Sequence, residues 1–144
     1  MRENGLNEMP RALKTLRAVQ WSMLASILLY VIAGEVLGPR AHMVDSSLSS
    51  IFSTLSVGVV GTIFVVRRTL VFGAATRLAA HPDDSISLSQ WKTGYMTTYA
   101  LCEALALFGL VLRFRGCTLE QSALFYGGGF VLLFFFRPQQ PAGA

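Results

Sequence analysis

Four long apolar stretches restrict the fold of this chain more than any other feature of its sequence. They cover residues 18–37, 48–66, 93–112 and 119–136. A helix needs about 17 to 25 residues to cross the roughly 30 Å of hydrocarbon in a bilayer, and each stretch fits that requirement. The two-residue alternation of barrel strands is absent, which leaves helices to satisfy the backbone within lipid. The sequence therefore predicts an all-α, polytopic integral membrane protein with four transmembrane helices in an antiparallel bundle.

The composition agrees with a lipid environment. Hydrophobic residues make up 53% of the chain and charged residues 14%, and the mean hydropathy is +0.52. Because a soluble domain carries about 25% charged residues, this chain has too little polar surface to coat a water-soluble globule. Composition thus argues against a soluble enzyme, a nucleic-acid-binding protein and a disordered tail, and it predicts the lipid bilayer as the surrounding partner.

The basic residues predict an orientation. Nine of them fall in the polar leader 1–17, the connection 67–92 and the tail 137–144, and three fall on the opposite side. Since short cytoplasmic segments of membrane proteins are enriched in Lys and Arg, we expect both termini in the cytoplasm and the spans in the inner (plasma) membrane. A cleaved signal peptide ending near Ala33 is the alternative for the first stretch. The length of that stretch favours a membrane span.

The connections between the spans carry helix signals. Pro10 suits the first turn of a helix, so we expect the first helix to begin before the membrane. In the connection 67–92, apolar residues recur on one face, which predicts an amphipathic helical extension near the lipid headgroups. That face consists of Leu70, Val71, Ala74 and Leu78. Two patterns, Ser87-x-x-Gln90 and Thr118-x-x-Gln121, predict capping boxes before the third and fourth spans.

Catalytic and metal-binding patterns are missing from the sequence. His42 and His81 are its only histidines, and they fall in connections on opposite sides of the membrane. Cys102 and Cys117 lie at different depths, so we expect no disulfide between them. The chain has no nucleophile elbow, phosphate-binding loop or haem-attachment motif. We therefore predict a protein that is not an enzyme and has neither a metal site nor a cofactor.

Glu103 is the most unusual residue, because it falls in the middle of the third span. A charged acid at that depth costs about 2.5–3.5 kcal/mol on insertion scales, and such residues usually have a function. Tyr99, one turn earlier, is a candidate hydrogen-bond partner. Other candidates are Ser26 and Tyr30 of the first span and Ser53, Thr54, Ser56 and Thr62 of the second. Three interpretations remain open: a protonated carboxyl that joins helices, a site for a proton or cation, and a site for a ligand headgroup.

Two other acids near the spans have structural interpretations. Glu35 lies near the outer end of the first span, where we expect it to pair with Arg40. Glu120 lies in the first turn of the fourth span, where a negative charge is favourable to the helix dipole.

The segment 102–110, Cys-Glu-Ala-Leu-Ala-Leu-Phe-Gly-Leu, resembles the ion-carrying helix of rotary-ATPase proteolipid (c) subunits. In that family a mid-membrane carboxylate is followed by small and apolar residues and then by an aromatic-Gly-Leu step. The resemblance implies that Glu103 would be the ion-binding carboxylate. With Tyr99 as its candidate hydrogen-bond partner, Glu103 forms the predicted ion-binding pair.

Small residues inside the spans predict faces where helices pack closely. They are Ser22, Ser26, Gly58, Gly61, Ala100, Gly109, Gly127, Gly128 and Gly129. Together with the missing catalytic groups, they favour an accessory or scaffold subunit whose partners are other membrane subunits or a second copy of the chain. The alternative is a proteolipid-like or transporter-like protein that handles a proton or cation at Glu103.

Overall fold

The computed structural model describes residues 3–39, 46–81 and 84–139, and these residues form helices and no strands. The helices are α1 (Glu3–Leu37), α2 (Ser46–Val66), a π-helical segment (Arg67–Phe72), α3 (Gly73–Ala80), α4 (Ser85–Phe114) and α5 (Leu119–Phe135). The all-α prediction is confirmed. The loop with Arg40 and His42, and the tail beyond Gln139, lie outside the described residues.

Three of the helical stretches are long and apolar enough to cross a membrane. They are Met9–Leu37, Ser47–Ala80 and Ser85–Phe114, and the fourth apolar helix, Leu119–Phe135, has 17 residues. These lengths and compositions suggest a membrane protein, in agreement with the sequence. Helix α1 begins at Glu3, so Pro10 lies inside the helix and not in its first turn, and the leader continues directly into the first span.

The connection predicted over 67–92 is mostly helical. Helix α2, the π-helical segment and α3 follow one another without a break up to Ala80, and α4 begins at Ser85. The amphipathic face is confirmed, since Val71, Ala74 and Leu78 are buried. Helix α3 packs against α4. The apolar face of this extension is therefore covered by protein, where the sequence had suggested lipid headgroups.

The two predicted capping boxes have different outcomes. Thr118 and Gln121 form theirs at the start of α5, with the hydroxyl and the side-chain amide each accepting a backbone N–H. At α4 the prediction is wrong, because Asp84 caps the helix three residues earlier. Its carboxylate accepts the Ile86 N–H at 3.0 Å and the Ser87 hydroxyl at 2.6 Å. The hydrogen bond from Ser87 is the main reason that the pKa of Asp84 lies below its ordinary value.

Helix α4 is the element on which the others assemble. Helix α5 runs antiparallel to it at close range, which two glycines permit. A Cβ atom on Gly129 would lie 2.6 Å from the Cys102 carbonyl oxygen, and one on Gly109 would lie 2.9 Å from the Ser122 carbonyl oxygen. The packing prediction is confirmed for these two glycines.

Helices α1 and α2 lie on opposite flanks of α4. Helix α1 runs parallel to α4, and α2 contacts α4 through the edge-to-face rings of Phe52 and Phe108, 5.4 Å apart. Within the described residues, the backbones of α1 and α2 do not approach each other. One face of α4 is consequently left open. Its exposed residues are Thr93, Met96, Ala100, Leu107 and Val111.

The remaining predicted packing residues, apart from Ser26, do not pack within the chain. A Cβ atom on Gly58, Gly61, Gly127 or Gly128 would meet no atom within 4 Å. Ser22 and Ala100 are exposed. The reason is the arrangement of helices, because α1, α2 and α5 cover only part of one another and of α4. Gly128 lines a groove between α2 and α5, and the other residues of this set are exposed.

Candidate functional site

Glu103 is half-buried where α4 packs against α1. Its Oε1 atom accepts a hydrogen bond from the Ser26 hydroxyl at 2.8 Å and one from the Tyr30 hydroxyl at 2.7 Å. The two donors are four residues apart on α1, and this spacing places them on the same face of the helix. Of the candidate partners, these two are confirmed, and Ser26 thereby joins α1 to α4.

Tyr99 does not bind Glu103, so this expectation is wrong. Its ring is fully buried and continues an aromatic row, with centroid separations of 4.9 Å from Trp91 to Tyr95 and 6.0 Å from Tyr95 to Tyr99. The phenol has no hydrogen-bond partner among the described residues. Ring packing in the core therefore directs this side chain, although it lies only one turn from the carboxyl.

The hydroxyl groups of α2 are also turned away from Glu103. Thr54, Ser56 and Thr62 donate to backbone carbonyl oxygens four residues earlier in their own helix, at 2.8–2.9 Å. Because α2 lies on the far flank of α4, these groups are too distant to serve as partners. Glu103 thus connects α4 to α1 alone.

The two oxygens of the Glu103 carboxyl differ in their surroundings. Oε1 receives both hydrogen bonds, whereas Oε2 receives none from the described residues. No Lys or Arg side chain within the described part of the chain forms an ion pair with it. A carboxyl held in this way has one oxygen fixed by α1 and one available to a proton, a cation or a donor from another molecule.

An ion pair joins α1 and α4 near their C-terminal ends. Arg113 Nε donates to Glu35 Oε1 at 2.7 Å, and Nη2 donates to Oε2 at 3.4 Å. Arg113 Nη1 also donates to the carbonyl oxygens of Pro39 and Cys117 at 3.2 Å. The expected partner, Arg40, lies outside the described residues. The described partner of Glu35 comes from a different helix, because α1 and α4 run parallel and end at the same level.

Sequence reasoning missed two polar residues that the tertiary structure places in the interior. Gln20 is 6% exposed, and its Nε2 atom donates to the Leu133 carbonyl oxygen of α5 at 2.7 Å. The Arg67 guanidinium lies 4.0 Å from the centroid of the Phe136 ring, and its Nη1 atom is buried without a hydrogen-bond partner among the described residues. The only sequence signal for either residue was its position at the edge of an apolar stretch. Gln20 lies just inside the first stretch, and Arg67 directly follows the second.

Other chemistry-bearing residues stay apart. Cys102 and Cys117 are both buried and free. Over the ranges that the structure describes, no group of three or more His, Cys, Asp or Glu residues could hold a metal ion.

Comparison of this chain with protein-family models, curated proteins and solved structures finds no match. The resemblance of residues 102–110 to proteolipid subunits therefore stays a prediction.

Proposed function

We propose that this protein is a non-enzymatic accessory or scaffold subunit of a membrane assembly, and that α2 is the helix that meets the partner. The observation that carries the proposal is the exposure of α2. Across residues 47–66, Ile63 is the only side chain that is fully buried. A helix with so little contact in its own chain has free surface for other subunits or for a second copy.

The outward face of α2 is built for close approach. Ser50, Thr54, Gly58 and Gly61 share this face by helical spacing, and all four are exposed. Membrane helices associate through van der Waals contact, and small residues let their backbones come near. The Thr54 hydroxyl bonds to the carbonyl of Ser50. It therefore needs no partner of its own, and these four small residues leave room for the backbone of another helix.

Bulky residues on this face of α2 test the proposal. Gly58→Leu combined with Gly61→Leu should leave the chain folded, because a Cβ atom at either position meets no atom within 4 Å. Ala123→Leu combined with Gly127→Leu is the matched control on α5, where both positions are exposed. Size-exclusion chromatography with light scattering in a mild detergent measures the mass of the complex. We expect the α2 variant to lose partners and the control to keep them.

A wild-type protein that purifies as a stable lone monomer contradicts the proposal. So does an α2 variant that retains its partners while the α5 control releases them. Far-UV circular dichroism of both variants checks that the helices are intact.

The second candidate function is proton or cation handling at Glu103, and the unequal surroundings of its two oxygens favour it. Glu103→Gln keeps an amide oxygen for Ser26 and Tyr30, so it should preserve the fold. If Glu103 carries an ion, the variant should lose proton or cation flux in vesicles, and Na⁺ should slow the labelling of the wild type by a hydrophobic carbodiimide. Glu120→Gln, at an exposed acid of α5, is the control. Normal flux and labelling unaffected by Na⁺ would leave Glu103 as a structural link between helices.

The orientation and location are part of the proposal: both termini in the cytoplasm and the spans in the plasma membrane. The structure supports this with a basic end. It is formed by the first part of α1, the π-helical segment, α3, the first part of α4 and the residues just after α5. Its basic residues are Arg11, Lys14, Arg17, Arg67, Arg68, Arg77, Lys92 and Arg137. Basic residues concentrate on the cytoplasmic side of membrane proteins.

A further inference from the structure

A cavity of about 480 Å³ opens at the basic end, between residues 17–24 in the middle of α1 and residues 134–139 at the end of α5 and just beyond it. Arg17 of α1 and Arg137, two residues after α5, line its polar part. Trp21, Leu24 and Phe134 line its apolar part. The described residues of the lining include no carboxylate.

Both arginines are available to a ligand. Within the described residues, neither Arg17 nor Arg137 forms an ion pair. The Arg137 guanidinium lies 4.2 Å from the centroid of the Phe134 ring. This contact restricts the side chain without neutralising its charge, because an aromatic face attracts a cation but carries no formal charge. Among the described residues, no carboxylate neutralises the two guanidinium groups of the cavity.

The walls of the cavity are fixed relative to each other. Gln20 also lines the cavity, and its Nε2 atom bonds to the Leu133 carbonyl oxygen at 2.7 Å, which ties α1 to α5 at this level. Trp21 is 68% exposed. Tryptophan is typical of the membrane–water interface, where its ring sits at the level of the headgroups. The polar part of the cavity thus belongs at headgroup depth and the apolar part beside the acyl chains.

We propose that this cavity binds the phosphate of an anionic phospholipid. Guanidinium groups pair with phosphate through short, charge-assisted hydrogen bonds, and basic pockets on the cytoplasmic side of membrane helices bind acidic lipid headgroups. The apolar part, formed by Trp21, Leu24 and Phe134, favours a lipid over a free phosphate, since only a lipid brings acyl chains to cover it. The proposal rests on the proposed membrane location and is independent of α2 and of Glu103.

Native mass spectrometry of the full chain, released from nanodiscs of defined lipid, tests the proposal. Nanodiscs with equal amounts of phosphatidylglycerol and phosphatidylcholine should give a wild-type protein that retains phosphatidylglycerol preferentially. Arg17→Gln combined with Arg137→Gln should reduce this preference roughly fivefold for each guanidinium removed. Arg17→Lys combined with Arg137→Lys preserves the charge and should retain most of the preference.

The matched control is Arg68→Gln combined with Arg77→Gln. It removes the same charge from exposed positions of the basic end that do not line the cavity. An equal loss of lipid in this control, or the absence of any preference for phosphatidylglycerol in the wild type, overturns the proposal. Inorganic phosphate provides a further arm: if it displaces the lipid at low millimolar concentration, the site serves a soluble phosphate compound and the lipid assignment is wrong.

Discussion

Substituting alanine at Gly129 tests how closely α4 and α5 are packed. The new Cβ atom would lie 2.6 Å from the Cys102 carbonyl oxygen and 3.2 Å from the Ala106 nitrogen, whereas ordinary contacts begin at 3.4 Å. Both neighbours are backbone atoms of α4, so no side chain can rotate away, and the helices must separate by several tenths of an ångström. Overpacking of this kind costs about 1–3 kcal/mol.

Gly128→Ala provides the matched control, because its Cβ atom would meet no atom within 4 Å. Both variants replace glycine by alanine in adjacent positions of one helix, so the gain of about 1 kcal/mol in helix propensity is common to both. The difference between them therefore isolates the overpacking cost, which we expect to be about 1–3 kcal/mol in the free energy of unfolding. Titration with sodium dodecyl sulfate in mixed micelles, followed by circular dichroism, measures it. Equal stability of the two variants would refute the close packing of α4 and α5.

Further predictions concern the Glu103 contacts, the α4 cap and the topology. Tyr30→Phe removes a donor to Glu103 and should destabilise the protein by about 1–2 kcal/mol. Tyr99→Phe changes a phenol without a described partner and should not destabilise the protein. The same detergent titration compares the two variants. The lowered pKa of Asp84 means that its capping contribution is present above the ordinary aspartate pKa of about 3.9 and is lost as pH falls through the lower folded value. Asp84→Asn should reduce the loss of stability at acid pH. Thermal unfolding followed between pH 5 and pH 3 measures this loss. A reporter active only outside the cytoplasm should be silent when fused after Ala144, and an active fusion there would overturn the proposed orientation.

The sequence by itself determined the helical class and much of the local structure. Long apolar stretches leave the backbone few alternatives to a helix, so the apolar helices could be located from hydropathy alone. The Thr118–Gln121 box was also readable, because both of its hydrogen bonds join residues three positions apart. The amphipathic face of Val71, Ala74 and Leu78 followed from helical periodicity.

The tertiary structure decided which residues meet across helices. Ser26 and Tyr30 were two candidates among several for Glu103, and only the parallel packing of α1 on α4 selected them over Tyr99. The same arrangement gave Glu35 its partner Arg113, 78 residues away in sequence.

The glycines also show that the sequence does not reveal which residues meet across helices. Gly128 and Gly129 are neighbours in one apolar helix, yet only Gly129 faces α4 closely. Periodicity shows which residues share a helical face, but it does not show which face another helix covers. That depends on the relative direction and rotation of helices far apart in sequence, and these are set by the packing of the whole chain.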